Sequence, residues 1–310
     1  DINFPLDKFE KLIIDIGWES LDDWFNFWNS KKNILSIDQY WNNKVNDDWI
    51  WGLALPILSQ AYKFHNNFSN RKIIGISALP GTGKTTLGNW LEAISLKLNF
   101  KIAVISIDDF YLPSEEMKLA IKNNPWNVSR GFPGSHSVKL MYEKLLYWKN
   151  NGELNVPVFD KSLRNGLGDR SHWRFDNPDL VILEGWFLGI EPSSIDVKDK
   201  HIKLAALSPN ESSYTLKIQS KLNEYLDVWS LIDNIWHLKP LKFEYMNMWK
   251  SFQEKEMLLQ KGNALQDEKL SNFLRMLNVS IPRKSFDSIN SYALLLIDQE
   301  RNLVEARLNF

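Results

Sequence analysis

Apolar residues form short, uninterrupted runs that alternate with helical patterns along the chain after residue 70. The first run, residues 72–77, is rich in β-branched side chains, which is typical of a strand buried on both faces of a parallel sheet. A helical pattern follows over residues 85–98. Further strands are predicted at residues 101–107, 180–183, 234–238 and 292–297, and a long helix at 242–261 that ends at Gly262. Strands interleaved with helices predict an α/β fold with an open, mostly parallel sheet.

The first 70 residues form a different segment, because they carry six of the 14 tryptophans. Trp24 and Trp28 are four residues apart and would share one face of a helix. A polar break at residues 66–70 separates this segment from the first strand. We therefore divide the chain into an N-terminal helical, Trp-rich region at 1–70 and a second domain at 71–310. We expect the tryptophans to be core side chains of a helical layer; a separate ligand site built from them is the alternative.

The composition excludes several functional classes. The 310 residues include 37 Lys and Arg against 38 Asp and Glu, and a net charge of −1 gives no general attraction to nucleic acid or to anionic membranes. Cysteine is absent, which rules out disulfides, a thiol nucleophile and Cys-ligated zinc. The longest apolar stretch, residues 49–58, is much shorter than the roughly 20 residues of a membrane span. We expect a soluble, cytoplasmic protein whose partner is a small molecule. The sequence does not specify the oligomeric state.

The strongest chemical signal lies between the first strand and the helix that follows it. A phosphate-binding pattern there comprises Gly81, Thr82, Gly83, Lys84, Thr85 and Thr86. Glycines let the backbone turn its N–H groups toward phosphate oxygens, and the helix start adds the positive end of its dipole. The Lys84 ammonium reaches the β- and γ-phosphates, and the Thr85 hydroxyl can ligate Mg²⁺. The pattern departs from the usual one at Ala78, where the first glycine is expected.

Acidic residues follow the next two predicted strands of this domain. Asp108 and Asp109 come directly after the strand at 101–107, and Glu184 follows the strand at 180–183. Carboxylates at the C-terminal ends of parallel strands face the crevice in which ligands bind. Adjacent residues of an extended chain point in opposite directions, so only one of the two aspartates should face the phosphates. Together with the loop, these residues predict a Mg–ATP site with Thr85 and Glu184 as metal ligands.

A long polar insert, residues 114–177, separates those two strands. Turn-forming Gly and Pro residues in it stand beside basic side chains, and we interpret such stretches as loops that bind an anionic small molecule. The basic residues in question are Arg130, His136, Lys161 and Arg170. A solvated surface charge is the alternative for any one of them taken alone.

Five segments in this order and spacing resemble the D-glycerate 3-kinases, which belong to the P-loop kinases with phosphoribulokinase, uridine kinase and pantothenate kinase. The segments are residues 78–86, 106–112, 130–136, 160–162 with 168–170, and 183–189. The resemblance covers roughly residues 70 to 302 and implies a P-loop NTPase-type three-layer sandwich, to which the N-terminal helical layer is added. Two positions depart from the family pattern. Ser137 replaces an acidic residue, and Lys250 stands where we expect Arg, whose two-pronged contact a lysine cannot make.

The resemblance implies phosphorylation of D-glycerate to 3-phosphoglycerate with ATP and Mg²⁺. Lys84 and Asp108 would be catalytic, with Asp108 as the base that orients the acceptor hydroxyl. The implied acceptor-binding set is Asp109, Tyr111, Arg130, His136, Lys161 and Arg170. Two alternatives stay open: a P-loop kinase for another small metabolite such as pantothenate, uridine or a pentose phosphate, and a non-catalytic regulatory protein that uses the nucleotide as a switch.

Overall fold

The computed structural model describes residues 2–35, 40–41, 46–67, 69–192, 206–261, 264–265 and 267–309, so the predicted helix end at Gly262 lies outside the described residues. Its central element is a six-stranded sheet. The strands are β1 (Lys72–Ala78), β2 (Ile102–Ser106), β5 (Leu180–Gly185), β6 (Asn234–Pro240), β7 (Ala293–Ile297) and β8 (Leu303–Leu308). Their order is β2-β5-β1-β6-β7-β8, and all neighbours are parallel except β8, which runs antiparallel to β7. The expected strands are present. β8 is an additional edge strand that was not predicted, because charged residues interrupt its apolar pattern.

The sheet separates two buried apolar clusters. Because successive side chains of a strand point to opposite faces, neighbours such as Ile73 and Ile74 on β1 belong to different clusters. Val181 and Ile182 on β5 divide in the same way. Central strands with both faces covered explain the continuous apolar runs in the sequence.

Helices cover both faces of the sheet. The first face carries α1 (Leu6–Ile16), α2 (Leu21–Ser30), α3 (Asp47–Trp49), α4 (Leu55–Asn67) and α5 (Lys84–Lys97), with a π-helical turn Ile50–Ala54 between α3 and α4. The second face carries α7 (Val138–Asn151), α8 (Pro209–Lys221), α9 (Leu226–Ser230), α11 (Asp267–Val279) and α12 (Arg283–Asp287). α10 (Tyr245–Lys261) contributes side chains to both clusters, Trp249 to the first and Met246 to the second. This three-layer arrangement confirms the predicted α/β fold class with its N-terminal helical layer.

The N-terminal aromatic side chains are core. The indole N–H groups of Trp24 and Trp28 both donate to the Ser59 hydroxyl, at 2.7 and 2.8 Å, and both rings are fully buried. Their cluster also contains sheet residues such as Trp236, whose indole donates to Gln60 on α4. These hydrogen bonds offset the cost of burying the three indole N–H groups. The division of the chain at residue 70 stays a prediction.

The insert at 114–177 is more regular than the sequence predicted. It contains α6 (Ser114–Ala120), α7 and an antiparallel hairpin of β3 (Leu154–Asp160) and β4 (Asp169–Asp176). Two features of the sequence explain why the hairpin was not predicted. Pro157 lies inside β3, which is tolerated at the free edge of a two-stranded ribbon, and β4 is half or fully exposed, so it has no apolar run.

In the part of the chain that the structure describes, no helix combines the length and the apolar character needed to cross a bilayer. The cytoplasmic location stays a prediction.

Candidate active site

Two glycines with positive φ shape the loop between β1 and α5. The φ angle is +82° at Gly81 and +97° at Gly83, a region that glycine adopts without a steric penalty. A Cβ atom on Gly81 would also lie 2.8 Å from the carbonyl carbon of Trp249, so α10 packs too closely for any side chain here. The loop leads directly into α5, whose free N–H groups at Lys84 and beyond form the anion site typical of a helix start.

Lys84 folds back over this loop. Its Nζ donates to the carbonyl oxygens of Ala78 at 2.7 Å and of Leu79 at 3.2 Å, and lies 3.9 Å from Glu184 Oε2. Burial lowers the pKa of Lys84, against the opposing pull of Glu184 and Asp108. The ammonium is therefore held beside the loop by contacts that phosphate oxygens can replace.

The three loop threonines occupy different environments. Thr82 is buried and its hydroxyl donates to the Leu79 carbonyl at 2.9 Å, so this side chain braces the loop and only its backbone can serve phosphate. Thr85 at the start of α5 is exposed, and Thr86 is half-buried. The Thr85 hydroxyl is thus the accessible one.

The carboxyl groups at the ends of β2 and β5 face different partners. Glu184 pairs in register with Ser106, and burial raises the pKa of Glu184. Asp109 turns back onto the chain, where its carboxylate accepts the N–H of Ser106 at 3.1 Å and lies 3.5 Å from the N–H of Phe159. Burial raises the pKa of Asp109 to about 6. Asp109 therefore braces the short helical turn Ile107–Phe110.

Asp108 is the carboxylate that meets the basic residues of the insert. Its Oδ2 accepts a hydrogen bond from Lys161 Nζ at 2.7 Å, and its Oδ1 lies 4.0 Å from His136 Nε2. Burial acts to raise the pKa of Asp108, but Lys161 and His136 outweigh it and hold the pKa well below its usual range. Asp108 is ionised at neutral pH.

His136 is buried between aromatic rings. The ring of Tyr111 stacks on it with a centroid distance of 4.6 Å and an interplanar angle of 21°, and the backbones of the two residues form an antiparallel bridge. Burial lowers the pKa of His136 more than Asp108 raises it, so the imidazole is neutral at neutral pH. Phe159 packs against Tyr111 in an edge-to-face contact with a centroid distance of 5.1 Å. These rings fix His136 beside Asp108.

The two arginines of the insert have other partners. Arg130 Nη1 donates to the carbonyl oxygens of Gly166 at 3.1 Å and Leu167 at 2.6 Å, which ties down the turn of the β3–β4 hairpin. Arg170 Nη2 donates to the Ser137 hydroxyl at 2.6 Å, and the charges that act on it are Glu116 and Asp169. The structure therefore brings Lys161 and His136 to Asp108, whereas Arg170 contacts Ser137, the residue after His136, and is paired with Phe159 in the hairpin.

Several residues at the site were not in the predicted set. Lys250 on α10 pairs with Glu254 at 2.5 Å; its charge acts on Lys84, and the charge of Lys161 acts on Lys250. The hydroxyl of Tyr225 forms a hydrogen bond with the imidazole of His136. Trp49, from the N-terminal layer, lies 3.8 Å from the position of a Cβ on Gly83. Lys250 had a specific sequence signal, as the position where the family pattern leads us to expect Arg.

Comparisons with known proteins identify relatives of this chain. An uncharacterized kinase of Schizosaccharomyces pombe is 31% identical over 213 residues, which are 65% of this chain and 76% of that protein. The chloroplastic D-glycerate 3-kinase of Arabidopsis thaliana is 35% identical over 217 residues, which are 65% of this chain but only 45% of that longer protein. The structure of D-glycerate 3-kinase from Cryptococcus neoformans has the same fold, with a TM-score of 0.69 and 24% identity over 82% of this chain and 96% of that one. The sequence matches no family model.

The loop, the mostly parallel sheet order and the identity with the S. pombe kinase over three quarters of that protein all lead to one family. The chain belongs to the P-loop small-molecule kinases that include the D-glycerate 3-kinases.

Proposed function

We propose that this kinase transfers the γ-phosphoryl group of ATP to a hydroxyl of D-glycerate, with 3-phosphoglycerate as the product. The observation that carries the proposal is the ionised Asp108 carboxylate, which pairs with Lys161 at 2.7 Å. Asp108 is also close enough to Lys84, beside the phosphate-binding loop, for its charge to act on that ammonium. The two D-glycerate 3-kinases among the similar proteins support the identity of the acceptor.

The charge of the site suits a small anionic acceptor. D-Glycerate has one carboxylate and almost no apolar surface, so its affinity must come from charge-assisted hydrogen bonds, each worth about 1.5–3 kcal/mol. Lys161 is half-exposed and can turn from Asp108 to the acceptor carboxylate. Neutral His136 offers a hydrogen bond without an additional charge. The remaining members of the predicted acceptor set, Asp109, Tyr111, Arg130 and Arg170, would shape the pocket around them.

The proposed reaction is an in-line displacement. The acceptor hydroxyl oxygen forms a bond to the γ-phosphorus, the bond from that phosphorus to the bridging oxygen of ADP breaks, and Asp108 takes the hydroxyl proton. Lys84 would leave the carbonyls of Ala78 and Leu79 to hold the β- and γ-phosphates. A loose transition state needs positioning and charge neutralisation more than a strong base, so the low pKa of Asp108 is compatible with this role.

The proposed metal ligands suit Mg²⁺. Thr85 offers an exposed hydroxyl at the start of α5 and Glu184 a carboxylate at the end of β5. Among the described residues no group of three or more His, Cys, Asp or Glu could hold a metal. Magnesium in kinases takes one or two protein oxygens together with phosphate oxygens and water, so this sparse donor set fits it. When bound, Mg²⁺ would neutralise charge on the phosphates.

The test is an ADP-release assay over an acceptor panel. The panel contains D-glycerate, L-glycerate, pantothenate, uridine and ribulose 5-phosphate, and phosphorus NMR of the product identifies the esterified hydroxyl. We expect D-glycerate to give the highest kcat/KM and a 3-phosphate ester. The Lys84→Ala variant is the control that assigns the ADP release to this site. A higher kcat/KM for another panel member would contradict the proposal.

A further inference from the structure

The hydroxyl of Tyr225 makes two hydrogen bonds beside the candidate site. Tyr225 ends the short helical turn Leu222–Tyr225 between α8 and α9, and it is fully buried. Its oxygen lies 2.7 Å from His136 Nδ1 and accepts the backbone N–H of Gly134 at 3.1 Å. Among the described residues, no other side chain forms a hydrogen bond with the imidazole of His136.

The protons of this group can be counted. The Gly134 N–H already donates to the Tyr225 oxygen, so the Tyr225 proton needs an acceptor of its own. His136 Nδ1 is the acceptor within reach, and it can accept only when it carries no proton. In the other arrangement, Nδ1–H and Gly134 N–H would both donate to the phenol oxygen and leave its buried proton without an acceptor. The first arrangement satisfies all three groups, and it places the imidazole proton on Nε2.

The Nε2 atom of His136 points toward the carboxylate of Asp108. It lies 4.0 Å from Asp108 Oδ1, is buried, and has no hydrogen-bond partner among the described residues. A distance of 4.0 Å is too long for a direct hydrogen bond, but an oxygen atom placed between the two groups can bond to both. Stacking on Tyr111 and contact with Phe187 keep the ring in this orientation.

We propose that Tyr225 is a positioning residue that holds His136 in the Nε2–H tautomer, so that this N–H is directed at Asp108 and at the acceptor oxygen that binds between them. The part of the proposal that concerns turnover rests on the proposed function; the tautomer does not.

The ionisation of both groups agrees with this role. Burial lowers the pKa of His136, so a single ring nitrogen carries a proton at neutral pH. Burial raises the pKa of Tyr225, so the phenol keeps the proton that it donates. The other titratable groups that face the imidazole are Asp108, Lys161 and Tyr111, whose ring stacks on it and whose pKa burial raises. Without the Tyr225 hydroxyl, the proton is free to move to Nδ1, and a lone pair on Nε2 would then face the Asp108 carboxylate.

The first experiment reads the tautomer by long-range ¹H–¹⁵N NMR of the whole chain. It has five histidines, and a His136→Gln variant assigns the His136 signals. We expect the Nε2–H pattern in the wild type and an Nδ1–H or mixed pattern in Tyr225→Phe. A wild type in the Nδ1–H form, or a Tyr225→Phe variant with an unchanged tautomer, would overturn the proposal.

The second experiment measures the kinetics of Tyr225→Phe with D-glycerate. We expect kcat to fall about 10–100-fold, the range found when the partner that orients a metal-bound imidazole is removed, with little change in KM for ATP. Tyr214→Phe is the matched control, because Tyr214 is also buried and its hydroxyl donates to the Ala120 carbonyl at 3.2 Å, away from His136. We expect this control to keep both its kcat and the His136 tautomer.

The two experiments separate the failures. A changed tautomer with unchanged kcat would overturn the positioning role. A wild type that does not use D-glycerate would instead contradict the proposed function, while the NMR result would still decide the tautomer.

Discussion

Lys161 Nζ lies 2.7 Å from Asp108 Oδ2, although the two residues are 53 positions apart in the chain. The contact joins the turn after β2 to the turn of the β3–β4 hairpin. Attraction to Asp108 raises the pKa of Lys161, and Lys161 in turn opposes the effect of burial on Asp108. The charge state of the proposed base therefore depends on the position of the insert.

Removal of this ammonium should change the pH dependence of turnover. In Lys161→Met, burial acts on Asp108 with less opposition, so the pKa of Asp108 rises. Because Asp108 works as the carboxylate, activity is lost as the pH falls through that pKa, and the acidic limb of the kcat profile moves to higher pH. Lys118→Met, which removes an exposed lysine paired with Glu115, is the control and should leave the profile unchanged. An acidic limb that does not move would show that Lys161 does not set the ionisation of Asp108.

The two adjacent aspartates should differ in their effect on turnover. Asp108→Asn removes the proposed base and should lower kcat about 10²–10⁴-fold, with little change in KM for ATP. Asp109→Asn should lower kcat far less, because its carboxylate faces the backbone N–H groups of Ser106 and Phe159. Steady-state kinetics of both variants is the measurement. The reverse ranking would mean that Asp109 and not Asp108 is the base.

Asp109 should also affect how stability depends on pH. Its pKa is raised to about 6 in the folded protein, so the folded state holds this proton more tightly than the unfolded state does. The free energy of unfolding therefore falls as the pH rises from the ordinary aspartate pKa toward 6, by up to about 3 kcal/mol. In Asp109→Asn this contribution is absent, and the stability profile over that range should be flatter. Urea titrations at several pH values test this; a profile as steep as that of the wild type would contradict it.

The close packing of the phosphate-binding loop can be tested at Gly81. Gly81→Ala places a Cβ 2.8 Å from the Trp249 carbonyl carbon and forces a non-glycine residue to a φ of +82°. Gly166→Ala has a similar φ of +87° but meets no atom within 4 Å. Both variants should lose about 1–2 kcal/mol from backbone strain. Only Gly81→Ala should also weaken ATP binding, measured by calorimetry, and equal ATP affinities would show that α10 does not constrain the loop.

Arg170 should matter less for the acceptor than Lys161. Its guanidinium donates a hydrogen bond to the Ser137 hydroxyl, and the charges of Glu116 and Asp169 act on it. Arg170→Lys should therefore raise KM for D-glycerate only a few-fold, whereas Lys161→Met should raise it by a much larger factor. A large increase in Arg170→Lys with unchanged KM for ATP would place the arginine on the acceptor carboxylate, as the sequence pattern first indicated.

The sequence predicts a structure best where the pattern is local. The run at 72–77 and the glycines of the loop specify a buried strand and a phosphate-binding turn within a few residues, and both are present. The hairpin Leu154–Asp160 with Asp169–Asp176 was not predicted. Its strands are stabilised by pairing with each other and by contacts with other elements of the fold, and not by an apolar run.

By itself, then, the sequence determined the fold class, the phosphate-binding loop and the carboxylates at the strand ends, because each depends on neighbours along the chain. Only the tertiary structure decided which insert residues meet Asp108 and which brace the loops around it. Arg130, Lys161 and Arg170 carry the same charge in the sequence, and they differ only in what the folded hairpin places beside them. Tyr225 was not predicted as a site residue, because its partner His136 lies 89 positions away and only packing brings the two together.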